Sequence, residues 1–117
     1  MRTLVLLLFL GSGATLAADE SADRQIDFGL KVAQKGLWQE ARFRFERAVL
    51  AEPTNAAALN NLAVSLEQMG DFAGARKAYE KALELKPDDA YIQQNYDLFR
   101  EADDKRNRKN KKKRPQP

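Results

Sequence analysis

Neither cysteine nor histidine occurs anywhere in the 117 residues. The first absence excludes disulfides and thiolate zinc sites. The second removes the commonest general base and the commonest metal ligand. Glycine-rich phosphate loops are missing as well, since Gly36 and Gly70 read as turn residues. Catalysis would then have to rest on paired carboxylates or a Ser–Lys arrangement. Asp88-Asp89 and Asp103-Asp104 are adjacent pairs at helix ends, where capping and dipole effects account for them, and Ser65 has no basic residue at a useful spacing. The sequence reads as a non-enzyme, with no cofactor and no metal site expected.

What is present suits a helical protein with one small domain: 44% hydrophobic and 32% charged residues. A formal net charge of +3 conceals an asymmetry. Of the 20 basic residues, eight lie in residues 105–114 and one is Arg2, which leaves 11 against 17 acids in the body, a net of −6. The chain is therefore an acidic body joined to a strongly basic end.

At the amino end, one positive charge at Arg2 precedes the apolar run Leu4-Val5-Leu6-Leu7-Leu8-Phe9-Leu10 and then small residues. This order is that of a secretory signal peptide over residues 1–17, with cleavage after Ala17 and the bond after Ala18 as the alternative. The run falls short of the roughly 20 apolar residues that span a bilayer comfortably. A retained anchor and a buried helix are the competing readings. Export is the expectation, placing the protein in the periplasm or outside the cell, with membrane association through a retained leader or the basic end as a variant.

Two apolar stripes with helical spacing succeed one another in residues 56–89. Leu59, Leu62, Ala63 and Leu66 form the first, and Ala75, Tyr79, Ala82 and Leu83 the second. Between them Gly70 can adopt the left-handed conformation that ends a helix, and Asp71 can cap the second stripe's helix. Pro87 predicts a stop near Leu85, and Asp88 or Asp89 is placed to cap a third helix. Sliding the sequence by 34 residues superposes Gly36 on Gly70, Trp38 on Phe72, Ala41 on Ala75, Phe45 on Tyr79, Ala48 on Ala82 and Pro53 on Pro87. Residues 22–55 are thus a first copy of the same hairpin, and a fixed period implies stacking.

These residues, in this order in both copies, resemble the tetratricopeptide repeat (TPR) family, as in a small exported bacterial-type member. The resemblance implies an all-α solenoid: repeats at 22–55 and 56–89, then a capping helix at 90–104. The alanines mark close helix crossings and the aromatics fill the wider gaps between hairpins. Gln25 stands where the family usually has a large apolar residue, as expected of a terminal copy with less to pack against. In the cap, Ile92, Tyr96 and Phe99 share one stripe, while Gln93, Asp97 and Arg100 face water.

The resemblance also implies a concave binding strip lined by the first helix of each hairpin. Its positions here are Ile26, Leu30 and Gln34; Asn60, Val64, Glu67 and Gln68; and Tyr91, Gln94 and Leu98. A peptide or a partner helix from another protein would lie across it, anchored by Ile26, Leu30, Val64 and Leu98. The competing reading is that Ile26 and Leu30 only thicken a small core. Members that grip the carboxylate end of chaperone tails share a clamp of lysine, asparagine and arginine. At the matching places stand Ile26, Leu30, Tyr91 and Asn95, and only Asn61 fits, so that mode is disfavoured.

Residues 105–117 carry Lys105, Arg106, Arg108, Lys109, Lys111, Lys112, Lys113 and Arg114 with no apolar side chain. Like-charge repulsion and missing burial predict a disordered tail, after at most one further helical turn. Such a segment can attach to anionic lipid or an envelope polymer. Nucleic acid is disfavoured because no aromatic is interleaved and no nucleic-acid fold accompanies it. Two functions remain: a scaffold that holds a partner in its groove, or an electrostatic adaptor whose tail is the active part. Two hairpins are fewer than the roughly three repeats such stacks usually need, which leaves self-association open.

Overall fold

The computed structural model describes residues 21–115 and residue 117. The expected leader at residues 1–17 lies outside the described residues. Five helices succeed one another: α1 (Ala22–Gln34), α2 (Trp38–Ala51), α3 (Ala56–Gln68), α4 (Phe72–Leu85) and α5 (Ala90–Lys113). α1 packs on α2 and α3 on α4 as hairpins, α2 joins the two hairpins through α3, and α5 lies against α4 and α3. The architecture is an all-α stack of two helical hairpins closed by a longer helix.

Each hairpin turns in the same way. Gly36 and Gly70 have φ of 74° and 83°, the left-handed region where a Cβ is costly. The next residue's amide reaches back to the helix, Leu37 N–H to the Val32 carbonyl at 3.0 Å and Asp71 N–H to that of Leu66 at 2.9 Å. This closes a Schellman turn and satisfies carbonyls that the helix end leaves open. The caps differ. Asp71 Oδ1 accepts from Gly74 N–H at 2.9 Å, whereas Leu37, at the same place before α2, makes no side-chain cap. Ser21, Asn55 and Asp89 cap α1, α3 and α5.

Packing obeys the repeat. Ala41, Ala48, Ala75 and Ala82 are fully buried, where larger side chains would force the helices apart. Tyr79 is buried at the seam between α4 and α5, with its ring centroid 5.4 Å from that of Phe99 and 6.0 Å from that of Tyr96. Phe45 is buried between α1 and α2, with Leu62 of α3 packed against the same cluster. Its ring sits over Gly29, where an added Cβ would stand 2.5 Å from the nearest ring carbon. Gln25 departs from its expectation: it is buried, and Arg44 Nη1 approaches its Oε1 at 3.5 Å.

The carboxyl end corrects the sequence reading. Instead of a cap ending near Asp104 and a disordered tail, α5 continues unbroken to Lys113. Three physical causes outweigh like-charge repulsion. Lysine and arginine are good helix formers, and cations near a helix C-terminus complement its dipole. The stripe on the stack also continues past Phe99 into Asp103 and Arg106. Arg76 of α4 donates to Asp103 Oδ2 at 2.8 Å, Arg106 donates to Oδ1 at 3.1 Å, and the Arg106 guanidinium lies 3.3 Å from the centre of the Phe72 ring. The first residue that forbids helix is Pro115, and Arg114 before it is extended at φ −73° and ψ 127°. Asp103 is therefore not a helix-end residue but a buried carboxylate between two guanidiniums.

Candidate partner-binding groove

The two hairpins and α5 enclose a cleft of about 240 Å³. α1 contributes Leu30, Ala33 and Gln34, α2 contributes Trp38 and Phe45, α3 contributes Asn61 and Val64, and α5 contributes Tyr91. Its floor is apolar and aromatic. Gln34, Asn61 and the Tyr91 hydroxyl supply polar groups, a mixture suited to a polypeptide with an apolar anchor. Leu30 remains 43% exposed and Tyr91 66% exposed, so both can exchange water for a ligand.

Local sequence places each wall. Gly29, without a side chain, lets the Phe45 ring sink against α1 and form the floor. Trp38 opens α2 immediately after the Gly36 turn and is half-buried against Val32, Ala41 and Phe45. Val64 lies one turn after Asn60 and Asn61 and packs partly against the Leu66–Tyr79 cluster.

Of the ten groove residues expected from the sequence, Leu30, Gln34, Val64 and Tyr91 meet in this cleft. The others are placed elsewhere. Ile26 is half-buried against Ala22, Ala48 and Ala58 and belongs to the core. Asn60 is buried, and its Oδ1 accepts from Asn95 Nδ2 at 3.1 Å, which ties α3 to α5. Glu67 accepts from the Tyr79 hydroxyl at 3.0 Å, a bond that together with burial pushes the phenol well above its ordinary pKa, burial being the larger cause. Gln68, Gln94 and Leu98 are exposed outside the cleft lining. Ala33, Trp38 and Phe45 line the cleft without being expected there, and Asn61, named from the sequence only as the residue that fits the clamp position, lines it as well. The repeat pattern assigns Trp38 and Phe45 to packing, and they fill both roles.

Of the eight cations expected to meet an anionic surface, seven are exposed. Arg106 is engaged within the molecule, between Asp103 and the Phe72 ring. Hydrogen bonding from Arg76, the largest influence, and then from Arg106 holds the Asp103 carboxyl below the usual carboxylate range against the opposing effect of burial. The same bond from Arg76 raises that guanidinium's own pKa. Lys105 donates to Glu101 at 2.9 Å, which lowers the glutamate's pKa. Among the described residues, no group of three or more acidic side chains is placed to hold a metal ion.

Comparison with known proteins agrees with this architecture. Residues 56–89 match the tetratricopeptide repeat family model. Curated proteins contribute no match. Among solved structures, the chain is similar to the Sgt2 TPR domain from Aspergillus fumigatus, with a TM-score of 0.73 and 20% sequence identity. That likeness covers 83% of this chain and 66% of the Aspergillus domain, just under two thirds of its length. At this identity the similarity is one of fold: a helical-hairpin solenoid of the TPR kind.

Proposed function

We propose that this protein is a non-catalytic interaction module whose concave cleft holds a peptide or helix of another protein. One observation carries the reading: Leu30, Val64 and Tyr91, from three different helices, converge with Trp38 on one apolar cleft. Exposed apolar side chains also occur elsewhere on this short stack, and what sets Leu30 and Tyr91 apart is that they line one cleft together with Val64 and Trp38. The match of residues 56–89 to the TPR family supports it, since the resemblance implies protein binding on this side of the stack. The apolar leader at residues 1–17 supports action in the cell envelope after export.

A second reading has the basic end of α5 anchoring the protein to anionic lipid or polymer. The exposure of Lys105, Arg108, Lys109 and Lys111–Lys113 favours it, with the repeats as carrier or self-associating unit.

A pull-down from an envelope fraction separates the two. Under the groove reading, Leu30→Glu and Val64→Glu lose the wild-type partner, while Leu50→Glu, at an 80% exposed site outside the cleft, retains it. Circular dichroism on each variant reports folding. Unchanged capture by both cleft variants, with loss on deleting residues 105–117, selects the electrostatic reading instead.

A further inference from the structure

Helix α5 joins the cleft to the basic end. Residues seven apart on a helix lie about 20° apart around its axis, so Tyr91, Leu98, Lys105 and Lys112 share one face. Lys109, four residues after Lys105, falls in the same sector. Tyr91 lines the cleft, and Leu98 is 59% exposed one step further along. Lys105, Lys109 and Lys112 are all exposed beyond it. The stack-facing side of α5 carries Ile92, Phe99, Asp103 and Arg106 instead. An apolar strip that starts in the cleft therefore runs straight into a row of cations.

We infer that the ligand of the cleft is an acidic polypeptide segment in which an apolar anchor is followed by carboxylates, aligned along the Tyr91–Leu98–Lys105–Lys112 face. The inference rests on the groove reading and names the chemistry of its partner. Charge complementarity carries it. The body is acidic and would repel such a segment, so these cations give an acidic ligand one place to lie. Spacing refines it. Seven helical residues span about 10.5 Å, roughly three residues of an extended ligand at about 3.3 Å each. The ligand then presents an apolar residue to the cleft and a second about three residues on, with carboxylates about three and about six residues beyond that. A lipid surface is the weaker match, because beyond Leu98 this face offers only the small methyl of Ala102 and no large apolar side chain to enter a bilayer. Glu101 of α5 pairs with Lys105 across an exposed contact, and a ligand acid reaching Lys105 competes with it.

A random peptide library displayed on phage, selected on the purified protein, tests this. The expected enriched peptides combine apolar residues with an acidic cluster to one side. Replacing those acids by amides weakens binding about tenfold at low salt, the combined effect of several exposed pairs. The gap closes near 1 M salt, where screening acts within about 3 Å. The triple variant Lys105→Gln/Lys109→Gln/Lys112→Gln binds acidic and amide peptides alike, and Val64→Glu binds neither. Enriched peptides with apolar residues but no acidic preference overturn the inference and leave the groove reading standing. Acidic peptides without apolar residues, or phosphatidylglycerol vesicles, that bind Val64→Glu as tightly as wild type make the cations a separate surface anchor and overturn it too. A selection that enriches nothing removes both.

Discussion

Leu37 and Asp71 occupy the same place in successive repeats, with nearly the same backbone, φ −85° and ψ 69° against φ −84° and ψ 76°. Only the aspartate caps its helix. Leu37→Asp should therefore stabilise the protein by about 0.5–1 kcal/mol, since Leu37 is 52% exposed and loses little burial. Thermal unfolding followed by circular dichroism checks it as a rise in Tm of a few degrees. Gly29 tests the opposite case. Gly→Ala within a helix ordinarily gains up to about 1 kcal/mol, but here the new methyl meets the buried Phe45 ring, and overpacking costs about 1–3 kcal/mol. Gly29→Ala should lower stability by about 1 kcal/mol in denaturant titration and distort the floor of the cleft. A gain in stability would show that the ring yields freely.

Turns and close crossings are legible at this scale. Gly70, Asp71 and the alanines announce the turn, the cap and the tight helix contacts through residue type alone. The choice between Asn60 and Asn61 is not legible. Neighbouring helical residues point about 100° apart, and which one enters the core depends on Asn95 of α5, 35 residues away.

At the scale of elements, α5 departs furthest from its sequence expectation. Repulsion among lysines predicts a tail, but their helix propensity, the late Pro115, and the pairing of Asp103 with Arg76 and Arg106 outweigh it. Asp103 lies at i+4 from Phe99 on the buried stripe, a signal that a charged residue obscures. This pairing predicts a pH dependence. Asp103 has a lowered pKa in the folded protein, so its contribution is full above the unfolded carboxyl range near pH 4 and is lost as pH falls through the folded value. Asp103→Asn should cost about 1–2 kcal/mol near neutrality, between the values for exposed and buried pairs. Its unfolding temperature should also fall less steeply than wild type as pH drops below about 4. Parallel Tm curves for the two proteins across that range would contradict the assignment.

Across the whole molecule, the 34-residue period carries the stack, its order and its closing helix, because stacking is what a repeated amphipathic hairpin requires. The cleft is less accessible to sequence reasoning, since its walls come from four helices whose relative rotation no single period encodes. The two ends of the stack also differ. α5 covers α4 with an aromatic seam, whereas the first hairpin leaves Phe28 and Phe43 about half-exposed, with the Arg44 guanidinium 4.1 Å from the Phe28 ring centre. That cation covers part of the apolar surface of the first hairpin.

Trp38, the only tryptophan in the sequence, lines the cleft and makes the central claim directly measurable. A library-selected peptide titrated into the protein should shift Trp38 emission to shorter wavelength with saturation, as water leaves the indole. Val64→Glu should abolish the shift while preserving the helical spectrum. A peptide that binds wild type and Val64→Glu equally, with Trp38 emission unchanged, would contradict the account.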